Sequence, residues 1–417
     1  MAGATAYVDG LRHHECMSFE QMWADLTDIG RDPASGGYHR FAWNDADMAL
    51  REWFCAQARA RNLTLTEDGN GNQFAWWGDR TAGDAVLLGS HLDSVPDGGA
   101  YDGPLGVVSS FAAVDALRAQ GVDPARPVVV ANFTDEEGAR FGVACAGSRL
   151  LTGTLTPDRA RALTDRDGTR LDEVLRARGR DPELLGADPG LLDSIGTFVE
   201  LHVEQGRALV DDGVAVGVAS AIWPHGRYRF DFAGEANHAG TTRMEDRRDP
   251  MLTYAMTALA ANKQARLTGA RATFGRVETH PNGTNAIASR VTGWLDARAA
   301  DGETLDDLLE RIATQATDRA QRDGTTVEVM SESASAIVEF DTGLRDRIAA
   351  VLSGAPVLPT GAGHDAGVLS AYGIPTAMLF VRNPTGISHS PAEHAEWDDC
   401  MTGVDALTTV VADLVRD

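Results

Sequence analysis

Four short apolar runs rich in β-branched residues punctuate the chain: AVLLG at 85–89, PVVVANF at 127–133, GTFVEL at 196–201 and PTAMLFV at 375–381. Their length and composition predict buried strands. Between the first two lies PLGVVSSFAAVDALRAQG, with Val107, Phe111, Val114 and Leu117 at helical spacing and a glycine stop at Gly121. A strand, a helix and a second strand in that order predict a parallel sheet covered by helices.

The pattern changes from about 218 to 331. Alternating strands such as YRFDFAG, ATFGRVE, SRVTGWLDAR and TVEVMS are interspersed with two helical stretches, MLTYAMTALAANKQARL and ETLDDLLERIATQATDRAQ. The order β, α, β, β, α, β is that of a ferredoxin-like unit. The parallel-sheet pattern resumes at VLSAYGIPTAMLFV. The predicted fold class is therefore α/β: a first domain of residues 1–217 and 332–417, with a mixed, largely parallel sheet and helices on both faces, interrupted by a ferredoxin-like α+β domain of residues 218–331. The polar run 155–190, including TDRDGTR and ARGRDPELLGADPG, reads as helical excursions and surface loops.

With 417 residues the chain has room for two domains and an enzyme's core. Its 37 basic residues against 61 acidic ones give a formal charge of -24, which repels nucleic acid and anionic membrane surfaces. Cys16, Cys55, Cys145 and Cys400 are scattered without a CxxC pair, which argues against a disulfide framework or a thiolate metal site and fits a reducing, cytoplasmic setting. His13, His14, Glu15 and Glu20 stand where a signal peptide needs an apolar core, and no later apolar run reaches the ~20 residues of a membrane span. A soluble protein is expected.

Each apolar run is followed, at its carboxyl end, by ionisable residues that a plain strand exit does not require: His91, Glu136 with Glu137, His202 and His389. In open parallel sheets the crevice beyond those ends is where ligands bind, so residues far apart in sequence can meet there. Three imidazoles and several carboxylates make a metal-site composition that suits zinc, manganese, cobalt or nickel. Asp102, in the glycine-lined turn GGAYDGP, is either a carboxylate bridging two cations or the N-cap of the following helix. Asp93 is either the acceptor that fixes the His91 tautomer or a solvated loop residue. Of Glu136 and Glu137, expected to point apart on extended backbone, one can ligate while the other moves protons; the competing reading is a surface acidic loop, weakened by the buried strand leading into it. His13, His14, His39, His225, His280 and His394 carry no partner pattern and read as surface or structural histidines. His238, in GEANHAGTT, and His364 with Asp365, in GAGHDAG, lie among small residues that leave them accessible, and both functional and structural readings stay open for them.

Taken in order, GSHLDSVPDGGAYDGPLGV, TDEEGARF, ELHVEQG, NHAGTT, NAIASRVTGWLDAR, GAGHDA and SHSPAE resemble the amidase, hydantoinase and carbamoylase branch of the dinuclear metallopeptidase-related amidohydrolases, from about residue 20 to the C-terminus. That branch includes N-carbamoyl-L-amino-acid hydrolases and allantoate amidohydrolases. The resemblance implies two divalent cations per subunit (zinc, manganese, cobalt or nickel), one held by His91, Asp102 and His202, the other by Asp102, Glu137 and His389. It makes Glu136 the general base, gives Gln205, Asn285 and Arg298 to the substrate, and has His238 reach the active site of the partner subunit to stabilise the oxyanion. It further implies that the inserted domain is a lid and the interface of a homodimer. The implied reaction is cleavage of a linear C–N bond in a small ureido or N-acyl carboxylate. An N-carbamoyl-L-amino acid is the first choice, allantoate the alternative, and N-formyl or other N-acyl amino acids or a dipeptide come next. A binding protein that keeps the fold without chemistry is the reading from another class; all the ligand positions and the base are present, which disfavours it. The chain departs from the family pattern at Arg243, where proline is usual, and at Ala288 and Ser289, where a Pro-Gly pair is usual.

Overall fold

The valine-rich runs become the centre of a sheet. The structure is a computed structural model that describes residues 17–416, so His13, His14 and Cys16 lie outside the described residues. Its strands, in chain order, begin with β1 (Thr64–Glu67), β2 (Gln73–Trp77), β3 (Ala85–His91), β4 (Val128–Phe133), β5 (Ile195–Val203) and β6 (Val216–Ile222). They continue with β7 (His225–Ala233), β8 (Asn237–His238), β9 (Arg271–His280), β10 (Ala286–Ile287), β11 (Arg290–Arg298), β12 (Thr326–Ser335), β13 (Val338–Glu339), β14 (Val357–Thr360) and β15 (Thr376–Val381). The chain folds as two units, one running up to Ala219 and joined by Phe340–Leu358 and everything from His364 on, the other comprising Ser220–Glu339 with Pro359–Gly363.

In the first unit the strands lie side by side in the order β1, β2, β4, β3, β5, β15, β6. The four in the middle run parallel, β4 with β3, β3 with β5 and β5 with β15, while β1, β2 and β6 add antiparallel edges. The sheet is mixed, with a parallel centre buried along its whole length: every residue of β3, β4 and β15 is buried. Helices Asp45–Ala60, Pro104–Ala119 and Trp397–Leu414 cover it, contributing Phe54, Phe111, Val114, Leu407 and Val411 to the main core. The segment 155–190 is more than surface loop. Its short helices Pro157–Arg161 and Leu171–Ala177 supply Ala160, Leu171, Val174 and Leu175, which together with Leu185 pack with Trp43 and Phe141 in a separate cluster.

In the second unit β7, β9, β11 and β12 form an antiparallel sheet in the order β12, β7, β11, β9, with helix Pro250–Thr268 between β7 and β9 and helix Gly302–Asp323 between β11 and β12. This is the ferredoxin-like arrangement. Phe230, Phe232, Val291 and Leu295 of the sheet pack with Ala261, Ala265, Leu308 and Ile312 of the helices. No helix among the described residues is long and apolar enough to cross a membrane.

One glycine holds the centre of the parallel sheet together. Gly89 has φ of +133°, and a Cβ there would fall 2.2 Å from the carbonyl oxygen of Ala131 on the neighbouring strand. Only glycine permits both the conformation and the approach. Gly89→Ala is expected to cost about 2–3 kcal/mol, read as a clear fall in melting temperature; a melting temperature equal to that of the wild type would show that β3 and β4 can part there freely.

Candidate metal centre

Two histidines reach the same carboxylate oxygen from adjacent parallel strands. His91 ends β3 and His202 lies near the end of β5, and their Nε2 atoms stand 3.5 and 3.2 Å from Asp102 Oδ1. All three side chains are buried. Each imidazole is anchored from behind: Nδ1 of His91 faces the Asp93 carbonyl at 3.1 Å and Nδ1 of His202 faces the Val203 carbonyl at 2.9 Å. A carbonyl only accepts, so the proton sits on Nδ1 and the Nε2 lone pair turns inward. Neither Nε2 makes a hydrogen bond although both are buried. Buried ring nitrogens left so are what a metal ligand requires.

The other oxygen of Asp102 serves a second triad. His389, on the loop after β15, places Nε2 3.5 Å from Asp102 Oδ2 and 3.6 Å from Glu137 Oε2. In each triad the candidate ligand atoms all lie within 4.8 Å of one another. Asp102 therefore joins the two groups, and the helix-cap reading fails: the helix opens after Gly103, with Pro104 in its first turn and no side-chain cap. Gly103 has φ of +85°, and a Cβ on it would overlap the His91 ring at 2.5 Å.

Glu136 and Glu137 part company, but not on extended backbone as expected. Asp135 before them is left-handed, with φ of +54°, so the segment bends. Glu136 Oε2 ends 3.7 Å from His91 Nε2, while Glu137 turns to His389. Asp93 holds that bend. Its two carboxylate oxygens accept the backbone N–H groups of Glu136 and Glu137, both at 3.1 Å. The imidazole partner expected of Asp93 is thus mainly its backbone carbonyl, with the carboxylate Oδ1 at 3.5 Å.

Burial of so much negative charge shifts the whole cluster. Burial pushes Glu136 up to about 7, with Asp93, Asp102 and Glu200 adding to it against the pull of His91. Burial, Asp102 and Glu136 together hold Glu137 well above the usual carboxylate range. Burial also raises Asp135 and Asp365 strongly, with neighbouring carboxylates adding to it. Asp102 goes the other way: burial opposes its charge, yet the close approach and attraction of His202 and His91 hold it well below. Burial disfavours an imidazolium at His202, but Asp102 and Glu200 carry it up to about 9. The carboxylates therefore demand positive charge at the two Nε2 atoms, and a divalent cation supplies it while competing with protons for those lone pairs. Nitrogen and oxygen donors without thiolate suit zinc, manganese, cobalt or nickel.

Further residues support the centre, and Glu200 and Glu393 among them escaped the sequence reading. Glu200, buried in mid-strand, accepts from Ser90 Oγ at 2.7 Å and from the Ala366 N–H at 3.1 Å, and with His202 and His364 it forms a further buried group of possible ligands. The His364 ring lies 4.5 Å from that of His202, and Asp365 accepts a hydrogen bond from Ser148 Oγ. Cys145 Sγ donates to Glu136 Oε1 at 3.3 Å. Glu393 accepts the N–H groups of Tyr101 and Asp102, both at 2.9 Å. Gln205 donates from Nε2 to Asp102 Oδ2 at 2.8 Å and to Ser388 Oγ at 3.2 Å. Glu200 and Glu393 do stand in ELHVEQG and SHSPAE; for Glu200 the available signal was a carboxylate inside an apolar run. His39 pairs with Asp97 at 2.9 Å and His394 lies 3.4 Å from Glu396, in keeping with the surface or structural roles expected of them.

His238, Asn285 and Arg298 lie on the second unit. His238 pairs with Ala286 where β8 meets β10, and the N–H of Ala239 donates to the Asn285 carbonyl at 2.9 Å, so the first two are neighbours. The His238 Nδ1 accepts the N–H groups of Gly240 at 3.0 Å and Thr241 at 3.2 Å, which leaves the ring proton on the exposed Nε2. Arg298 is braced by Asp296 through two hydrogen bonds of 2.8 and 3.1 Å and donates to the Gly361 carbonyl. Of the departures, Arg243 forms exposed ion pairs with Asp246 and Glu245, Ala288 is buried in the second unit's core, and Ser289 Oγ donates to the His280 carbonyl at 3.1 Å.

Comparison with known proteins places the chain in a family. The model of peptidase family M20/M25/M40 matches residues 87–413. An N-carbamoyl-L-amino acid amidohydrolase of Geobacillus stearothermophilus is 36% identical over 95% of this chain and 98% of its own length. An allantoate amidohydrolase of Escherichia coli K12 is 32% identical over 96% of this chain and 98% of its own. The crystal structure of an amidase of the hydantoinase/carbamoylase family from Burkholderia vietnamiensis superposes with a TM-score of 0.85 at 29% identity, covering 96% of this chain and 98% of that one. The chain belongs to peptidase family M20/M25/M40, among its metal-dependent amidohydrolases of the hydantoinase and carbamoylase kind.

Proposed function

We propose that the protein hydrolyses an N-carbamoyl-L-amino acid to the amino acid, carbon dioxide and ammonia. The observation that carries this reading is the pair of triads sharing Asp102, with Glu136 3.7 Å from His91 Nε2 and outside both ligand sets. The substrate choice is supported by the relative from Geobacillus stearothermophilus, named for that activity. Allantoate is the second reading, supported by the relative from Escherichia coli.

On this reading two divalent cations per subunit, of zinc, manganese, cobalt or nickel, are held by His91, Asp102 and His202 and by Asp102, Glu137 and His389. When bound they supply Lewis acidity that polarises a carbonyl and makes water acidic near neutral pH. Glu136 Oε2 takes the proton of the attacking water and later returns it to the departing nitrogen. Burial raises its affinity for a proton, which favours its taking one from the water. The Cys145 thiol on Oε1 and the bend held by Asp93 keep the Glu136 carboxylate turned to its task. His238 is assigned to the active site of the partner subunit, where its Nε2–H meets the developing oxyanion. Arg298 takes the substrate's α-carboxylate, its planar fork oriented by Asp296, and Asn285 and Gln205 orient the ureido group.

We further assign residues 218–331 the role of a lid that also forms a homodimer interface. Met251, Leu252, Met256 and Leu259 expose apolar surface on helix Pro250–Thr268, as an interface needs. A reducing, cytoplasmic setting accords with free thiols at Cys55, Cys145 and Cys400.

Assaying amine release from N-carbamoyl-L-amino acids, allantoate, N-formyl amino acids and dipeptides, with each metal added in turn, should give fastest turnover on the carbamoyl compounds. Brisk allantoate cleavage with none of the carbamoyl substrates turned over would reverse the order of the two readings. Glu136→Gln should lose about 10²–10⁴-fold in kcat while keeping its metal content and melting temperature; a variant within threefold of wild type would remove Glu136 from the role of base. Stripping the metal with a chelator should abolish turnover and lower the melting temperature, because the buried carboxylates lose their counter-charge, and both should return on adding the divalent ion. Full activity in a sample analysed as metal-free would exclude the mechanism.

A further inference from the structure

The two triads are built from different materials. His91 and His202 belong to β3 and β5 and are wholly buried. His389 stands on a loop with φ of +55° and a half-exposed side chain. Strand backbone holds the first pair in place, whereas the second triad needs something to tie the loop after β15 to the turn after β3. Glu393 is so placed. It is buried, its Oε1 accepts the N–H groups of Tyr101 and Asp102 at 2.9 Å each, and its Oε2 lies 3.3 Å from Ser388 Oγ, which in turn is 3.1 Å from Asp102 Oδ2. One carboxylate thus grips the backbone of the bridging aspartate and the residue preceding His389. Gly99 makes room for it: a Cβ there would fall 2.3 Å from Glu393 Oε1.

We propose that Glu393 is a positioning residue that sets the affinity of the Asp102–Glu137–His389 triad for its cation, leaving the His91–Asp102–His202 triad largely unaffected. The inference rests on the two-cation reading above. Removal of a group that orients metal ligands typically weakens binding by about 10–100-fold. Glutamine at this position can still accept both N–H groups through its amide oxygen while its NH₂ donates to Ser388, which frees the serine hydroxyl for Asp102. The conservative variant should therefore rescue.

The test is titration of the metal-stripped, full-length protein with Zn²⁺ against a competing chelator, alongside melting temperatures. Wild type should bind two equivalents. Glu393→Ala should keep one tight equivalent, which also reports that it is folded, and bind the second at least tenfold more weakly, while Glu393→Gln stays near wild type. Gly99→Ala, which displaces Glu393 without altering it, should repeat the alanine result and serves if Glu393→Ala does not fold. Two equivalents of unchanged affinity in Glu393→Ala or, where that does not fold, in Gly99→Ala, or equal weakening of both, would overturn the proposal. A wild type binding only one equivalent would overturn the two-cation reading itself, and this inference with it.

Discussion

The centre depends on one carboxylate kept ionised where its neighbours resist ionisation. Asp102 holds a buried negative charge because two imidazoles converge on one of its oxygens and a third approaches the other. Around it Glu136, Glu137, Asp135 and Asp365 are pushed toward their neutral forms by burial and mutual repulsion. Such a cluster is expensive to bury without compensating positive charge. A site that concentrates carboxylates and then turns imidazole lone pairs into the same space stores a demand for cations, and the parallel sheet makes that possible by ending its central strands at one place.

What could be read from the chain divides along physical lines. The central strands were legible because a fully buried parallel strand must be continuously apolar, as AVLLG and VVVANF are, and the inserted unit because its alternation and long helices carry strong periods. The edge strands were not: Gln73–Trp77 opens on a polar residue, and VGVASAI is broken by glycine and serine. The short helices between 157 and 192 are too brief to show a helical period, so the segment reads only as helical excursions and surface loops, and its contribution of Leu171, Val174 and Leu185 to a core does not show.

The site divides in the same way. Strand ends announce His91, Glu136, Glu137 and His202, because an ionisable residue after a buried run needs a reason. Whether Asp102 caps a helix or faces two imidazoles is decided by the left-handed Gly103, which three-dimensional crowding against the His91 ring requires and local sequence does not reveal. Asp93 and Glu393 are harder still. Their partners are backbone N–H groups in distant segments, and a backbone donor leaves no signature in the residue type that carries it.

That reliance on backbone bears on how one centre can serve different substrates. On the proposed reading the ligand triads and Glu136 act on the carbonyl and the scissile nitrogen, which every ureido or N-acyl compound presents alike, so they cannot tell one substrate from another. Discrimination must come from groups that meet the rest of the molecule; of those proposed here Asn285 and Arg298, the latter braced by Asp296, sit on the second unit and Gln205 on the first. Because a hydrogen-bonding site rejects a ligand lacking its partner far more strongly than an apolar pocket rejects a misfit, small changes around these residues alter specificity while the metal centre stays as it is. Arg243, Ala288 and Ser289, the positions expected to depart from the family pattern, all fall on the second unit, two of them within four residues of Asn285. On the proposed assignment, substrate preference rests largely on the second unit and the chemistry on the first.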